Sequence, residues 1–143
     1  MVPMLAVAAL LWWVALTRLR RWSQSRSILT LGTGVVFSFM ALHTTVNLGP
    51  VDRFISRVVG VANATSAVKH GIFLGICLGA AIIIVALRVA DVERQRRWLA
   101  PLALGAGLAA AVAVTLFFSA DPTPQARDGS EFDELYVHLP GYV

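Results

Sequence analysis

The stretch Ala67 to Leu87, AVKHGIFLGICLGAAIIIVAL, carries one charge, Lys69, and no Asp, Glu, Lys or Arg from Gly71 onward. As an α-helix rising 1.5 Å per residue it is about 31 Å long, the thickness of a bilayer's hydrocarbon core. Small residues recur every fourth position at Ala67, Gly71, Gly75 and Gly79. Helices in lipid associate through close backbone approach, so this stripe reads as a packing face. At 100° per residue Lys69 points roughly 120° away from the stripe, leaving the charge off the contact.

Working outward, three more apolar runs flank this one. With Ala67 to Leu87 they give spans at about 2–17, 28–46, 67–87 and 98–118. The whole chain is 57% hydrophobic and 14% charged, with a mean hydropathy of +0.73. A soluble domain has about 25% charged residues to cover its surface, so these proportions exclude a water-soluble fold. The net charge of +4 does not point to nucleic acid, because eight of the twelve basic residues lie in two short segments, Arg18–Arg26 and Arg88–Arg97, between apolar runs. Cytoplasmic connections carry such an excess of Arg, so both clusters are expected inside. The N-terminus, the 47–66 connection and the C-terminal tail are then outside, in the plasma membrane. Residues 1–118 make up the transmembrane domain, and 119–143 an acidic extracytoplasmic tail.

The first run is read as a retained helix and not a signal peptide, since its positive cluster follows the apolar stretch instead of preceding it. Trp12, Trp13 and Trp22 bracket Arg18, Arg20 and Arg21, which predicts an aromatic belt at the inner interface. In the outer connection Val51, Phe54, Ile55, Val58 and Val59 follow helical spacing, with Asp52, Arg53, Ser56 and Arg57 opposite. Pro50 stands in a first turn and Gly60 at a C-terminus, so about 50–60 is expected to be a short amphipathic helix at the interface. Asn63 or Thr65 caps the next span. In the last span Pro101 falls in the first turn, and Gly105, Ala109 and Ala113 form another small-residue row. Four spans with short connections predict an all-α, antiparallel four-helix bundle.

Few polar groups lie at membrane depth, and these are candidates for function. His43, Asn47, Asn63, Lys69 and His70 fall near the outer ends of spans two and three. They could line a polar pocket for an anion or small polar solute. Alternatively, Lys69 snorkels to headgroups while the histidines bond to helix ends. Haem between His43 and His70, and a metal held by His138 with tail carboxylates, are further possibilities with no supporting ligand spacing; no cofactor is expected. Cys77 at mid-span is a small hydrophobe. Without a nucleophile–base pairing, phosphate loop or HExxH, no enzyme is predicted.

Two segments carry a resemblance. Trp12-Trp13-Val14-Ala15-Leu16-Thr17-Arg18-Leu19 resembles the opening of a group of actinobacterial multi-span integral membrane proteins assigned to transport. Gly60-Val61-Ala62-Asn63, with His70 seven residues on, resembles that group's second loop and third-span start. The resemblance covers residues 5–120 and implies a transporter-like or transport-accessory role. The group has about seven spans and a cytoplasmic C-terminal part, whereas this chain has four. The resemblance therefore implies a truncated or split version that completes a path through self-association or a partner. The expected partners are the lipid bilayer and a second copy or another membrane protein. The competing expectation is a non-transporting structural or assembly subunit.

Overall fold

The computed structural model of the chain describes residues 2–59 and 64–119. Among them the order is α1 (Val2–Ser25), α2 (Ile28–Val46), α3 (Gly49–Val59), α4 (Ala64–Arg88) and α5 (Val92–Ser119). All five are α-helices, and the described residues contain no strand. Four are long and apolar enough to cross a membrane: Pro3–Ser25, Ile28–Val46, Thr65–Arg88 and Val92–Phe117. Asn63 and the tail beyond Ser119 lie outside the described residues, so the expected cap at Asn63 and the expected acidic tail carry no structural account.

The arginine clusters belong to helices and not to loops. α1 runs through Arg18, Arg20 and Arg21 to Ser25, eight residues past the expected end at Thr17. Arg and Gln are good helix formers, so the turn falls where the chain supplies a stop. Arg26 takes a left-handed backbone, φ 55°, and its N–H reaches Trp22 O at 2.7 Å. Ser27, extended at φ −72°, ψ 124°, caps α2 by accepting from Thr30 N. At the same end of the molecule α5 begins at Val92 and not Trp98. Asp91 caps it, its Oδ1 accepting from Glu93 N at 2.9 Å. Pro101 consequently lies inside the helix and not in its first turn, and the Arg97 carbonyl loses the N–H it would otherwise accept.

Close packing is concentrated on α2, which touches α1 on one side and α4 on the other; α5 touches mainly α4. Ala8 and Ala15 of α1 are buried, as are Gly32, Gly34 and Ala41 of α2 and Ile72, Gly75, Gly79 and Ile82 of α4. The α4 set is spaced three, four, three, one face of a helix. Glycine is what lets the backbones approach. A methyl group at Gly79 would stand 2.7 Å from Val36 Cγ2 and 2.8 Å from Val36 N, and one at Gly32 would stand 3.0 Å from Ile83 N. Gly75 lies against the Phe39 ring, and Gly34 against Leu19. As these contacts step forward along α2, through Gly32, Val36 and Phe39, they step back along α4, through Ile83, Gly79 and Gly75. Gly71, expected in the same stripe, meets nothing within 4 Å of where its Cβ would be. The stripe therefore acts over Gly75 and Gly79.

Candidate functional site

The polar residues singled out by sequence are on α2 and α4, at the ends nearest α3. His43 is in the last turn of α2 and exposed, and Asn47 caps that helix. Asn47 donates from its backbone N (3.1 Å) and from Nδ2 (2.9 Å) to the His43 carbonyl. Its Nδ2 also lies 3.3 Å from Nδ1 and 3.4 Å from Nε2 of the His43 ring. On α4, His70 is exposed and its Nδ1 lies 2.8 Å from Ser66 O, as a donor to the preceding turn would. Lys69 beside it is half-buried. Extending the Phe39–Gly75 register by one turn sets His43 level with Gly71, so the two histidines share a depth. The bonds of His43, Asn47 and His70 nevertheless stay within each residue's own helix. Among the described residues, no group of three or more His, Cys, Asp or Glu is placed to hold a metal ion.

A residue that the sequence reading misplaced completes this end. Trp12 Nε1 donates to Thr45 Oγ1 at 3.1 Å, and Thr45 Oγ1 in turn donates to Ala41 O at 2.8 Å. Trp12 thus meets the far end of α2 and does not belong to a belt around the arginines. The cause is the length of α1: because the helix runs on to Ser25, Trp12 is thirteen residues, about 20 Å, from the α1–α2 turn. The available signal was chemical, since an indole N–H in an apolar run needs an acceptor on a facing helix.

The opposite end is marked by the α1–α2 and α4–α5 turns. Two adjoining open hollows of about 360 and 430 Å³ lie there, both lined by Arg26, Ile28 and Arg96. The first also reaches Gln95 and Val92, the second Trp22, Leu31 and Leu99. Arg26 lies over the Trp22 ring, 5.6 Å from its centroid, a cation–π arrangement. Arg96 Nη1 donates to Glu93 Oε1 at 3.3 Å. Gln95 Nε2 donates to two carbonyls at the end of α4, Val89 O at 2.6 Å and Ala86 O at 3.2 Å, which ties the turn to the start of α5. α2 and α5 touch little, and the hollows form a cleft between the start of α2 and the start of α5.

No protein family, curated protein or solved structure matches the chain.

Proposed function

We propose that the chain is a non-catalytic, multi-pass plasma-membrane subunit, structural or transport-accessory, that works by assembling with a second copy or another membrane protein. In this reading the four long helices form an antiparallel bundle with both termini outside. Opposed stepping of the α2 and α4 contacts supports that arrangement, and the grouping of eight arginines beside the two inner turns supports the orientation. α3 lies in the outer interface: Phe54 and Val58 are 66% and 68% exposed on one face, while Val51 and Ile55 are half-buried.

One observation carries the assembly role. The glycines of α2 and α4 are covered by neighbouring side chains over Gly32, Gly34, Gly75 and Gly79, whereas those of α5 are not. Gly105 and Gly107 meet nothing within 4 Å, and no residue of the α5 span is buried. Apolar exposure alone only means lipid. Gly105 and Ala109, exposed one turn apart with half-buried Ala113 a turn further on, are different, because small residues beside lipid give acyl chains little contact and give another backbone a close approach. A carrier acting alone has less support, since His43, Asn47 and His70 are bonded along their own helices and not around a shared solute site.

The test uses the single native cysteine. In a Cys77→Ala background, cysteines at Gly105 and Ala109 are expected to form disulfides with the same cysteine of another copy under mild oxidation in native membranes, or to be joined to a stoichiometric partner by a thiol-to-amine crosslinker. A cysteine at Leu104, on the adjoining face, serves as the comparison. Equal, weak crosslinking at all three positions, together with solute-dependent thermal stabilisation of the isolated chain, would turn the reading toward a self-contained carrier.

A further inference from the structure

We propose that the cleft between the start of α2 and the start of α5 is a binding site for one anionic phospholipid, its phosphate held by Arg26 and Arg96. The proposal rests on the membrane reading above, which puts this end of the bundle at headgroup level. Three observations then specify the occupant. First, two arginines from different elements line the same pair of hollows, Arg26 from the α1–α2 turn and Arg96 from the second turn of α5. The guanidinium is a planar fork that matches phosphate oxygens two at a time. Arg96 gives one nitrogen to Glu93, and that pair is exposed on both sides, its side chains 50% and 72% accessible, so the contact is weak and leaves most of the fork for a second acceptor.

Second, below the arginines the wall becomes apolar. Ile28 and Leu31 of α2 face Leu99 of α5 across the second hollow. A free inorganic anion uses only the charged mouth, whereas a phospholipid also fills the floor, with an acyl chain along the α2–α5 cleft. Third, Trp22 is in the same lining and already stacks with Arg26. An amphipathic ring at headgroup depth covers the glycerol region while holding the guanidinium in place. The surroundings favour the same ligand class: Arg88, Arg94 and Arg97 share this end with Arg26 and Arg96, and Arg18, Arg20 and Arg21 precede Arg26 by about one to two turns of α1, against Asp91 and Glu93. Basic pockets between membrane helices on the cytoplasmic side are where anionic headgroups bind, each arginine near the surface contributing about a fivefold preference.

The experiment compares the full chain with Arg26→Gln/Arg96→Gln, with Arg26→Lys/Arg96→Lys and with Arg57→Gln, which removes a charge on α3 far from the cleft. Each is reconstituted in phosphatidylcholine with and without phosphatidylglycerol. The lipid retained after extraction is counted by native mass spectrometry, alongside the thermal midpoint. The wild type is expected to retain one phosphatidylglycerol in preference to phosphatidylcholine and to gain thermal stability from it. The double glutamine variant should lose that preference by about tenfold or more. The double lysine variant should keep part of it, and Arg57→Gln all of it. A double glutamine variant that retains phosphatidylglycerol as the wild type does overturns the proposal. So does inorganic phosphate giving the same stabilisation in phosphatidylcholine, which would make this a free-anion site. An acidic polypeptide retained through Arg26 and Arg96 in place of lipid overturns it as well. A chain that inserts into bilayers without headgroup preference removes this proposal alone; one that fails to insert removes the membrane reading with it.

Discussion

At the scale of single residues, the glycines divide by what stands opposite them. Gly79→Ala places a methyl 2.8 Å from a backbone nitrogen of α2, which cannot rotate away. It should lower stability by about 1–3 kcal/mol, as overpacking does. Gly71→Ala enters open space and should be neutral or stabilising by up to about 1 kcal/mol through helix propensity. Unfolding in mixed detergent micelles measures both. If the two substitutions behave alike, the packing assigned to Gly79 is wrong. Arg26 is a second test. Its left-handed backbone costs a non-glycine residue about 1–2 kcal/mol, and its stacking on Trp22 returns about 0.5–1 kcal/mol. Arg26→Gly should therefore fold as well as the wild type to within about 1 kcal/mol, while Arg26→Val keeps the strain, loses the stacking and should be clearly less stable. The small residues were legible from spacing alone, but which of them is used was not, because four-residue spacing does not say how far a neighbouring helix extends.

At the scale of elements, the turns carry the specificity. Gln95 joins α5 to the last carbonyls of α4 through its side-chain amide. Gln95→Ala should cost about 1–2 kcal/mol by removing two bonds at a helix end. Faster hydrogen exchange at the amides around Val89 to Asp91 would report it, and unchanged exchange would show that the turn holds without Gln95. The surface pairs Arg94–Asp91 and Arg96–Glu93, both i, i+3 and exposed, should contribute almost nothing when removed. α2 coincides with its apolar run, 28–46, because Ser27 and Asn47 cap it at both ends of that run. The ends of α1 and α5 were misjudged for one reason: apolarity marks where lipid is, while helix continues through Arg, Gln and Glu until a cap or a left-handed residue ends it. That difference carried Trp12 away from the arginines and Pro101 into the helix interior.

At the scale of the whole molecule, α1, α2 and α4 make one tightly packed layer and α5 leans on it through α4. Cys77 offers a direct probe of which surfaces meet lipid, because it is exposed in the middle of α4. In intact membranes it should resist a charged maleimide and react with an apolar one; rapid reaction with the charged reagent would place a water path beside α4. The candidate polar residues were findable from sequence as intramembrane His, Lys and Asn, and the shared depth of His43 and His70 followed from helix length. Their bonding could not be read in advance, since whether a side chain reaches across or turns back to its own helix depends on rotamers that pattern does not encode.

The contact of Leu19 with Gly34 has a consequence for the surrounding bilayer. Gly34 stands between the levels at which α2 meets Gly79 and Ile83 of α4, so Arg18 and Arg20 are level with the apolar turn around Ala81. That is seven residues, about 10 Å, short of Arg88. The water boundary on the α1 flank must rise to reach those guanidiniums, or their stems must bend down to it, while the α4 flank demands full thickness. The molecule therefore has an uneven hydrophobic waist. It should be more stable in short-chain than in long-chain phospholipid bilayers and should gather where the leaflet is already thinned.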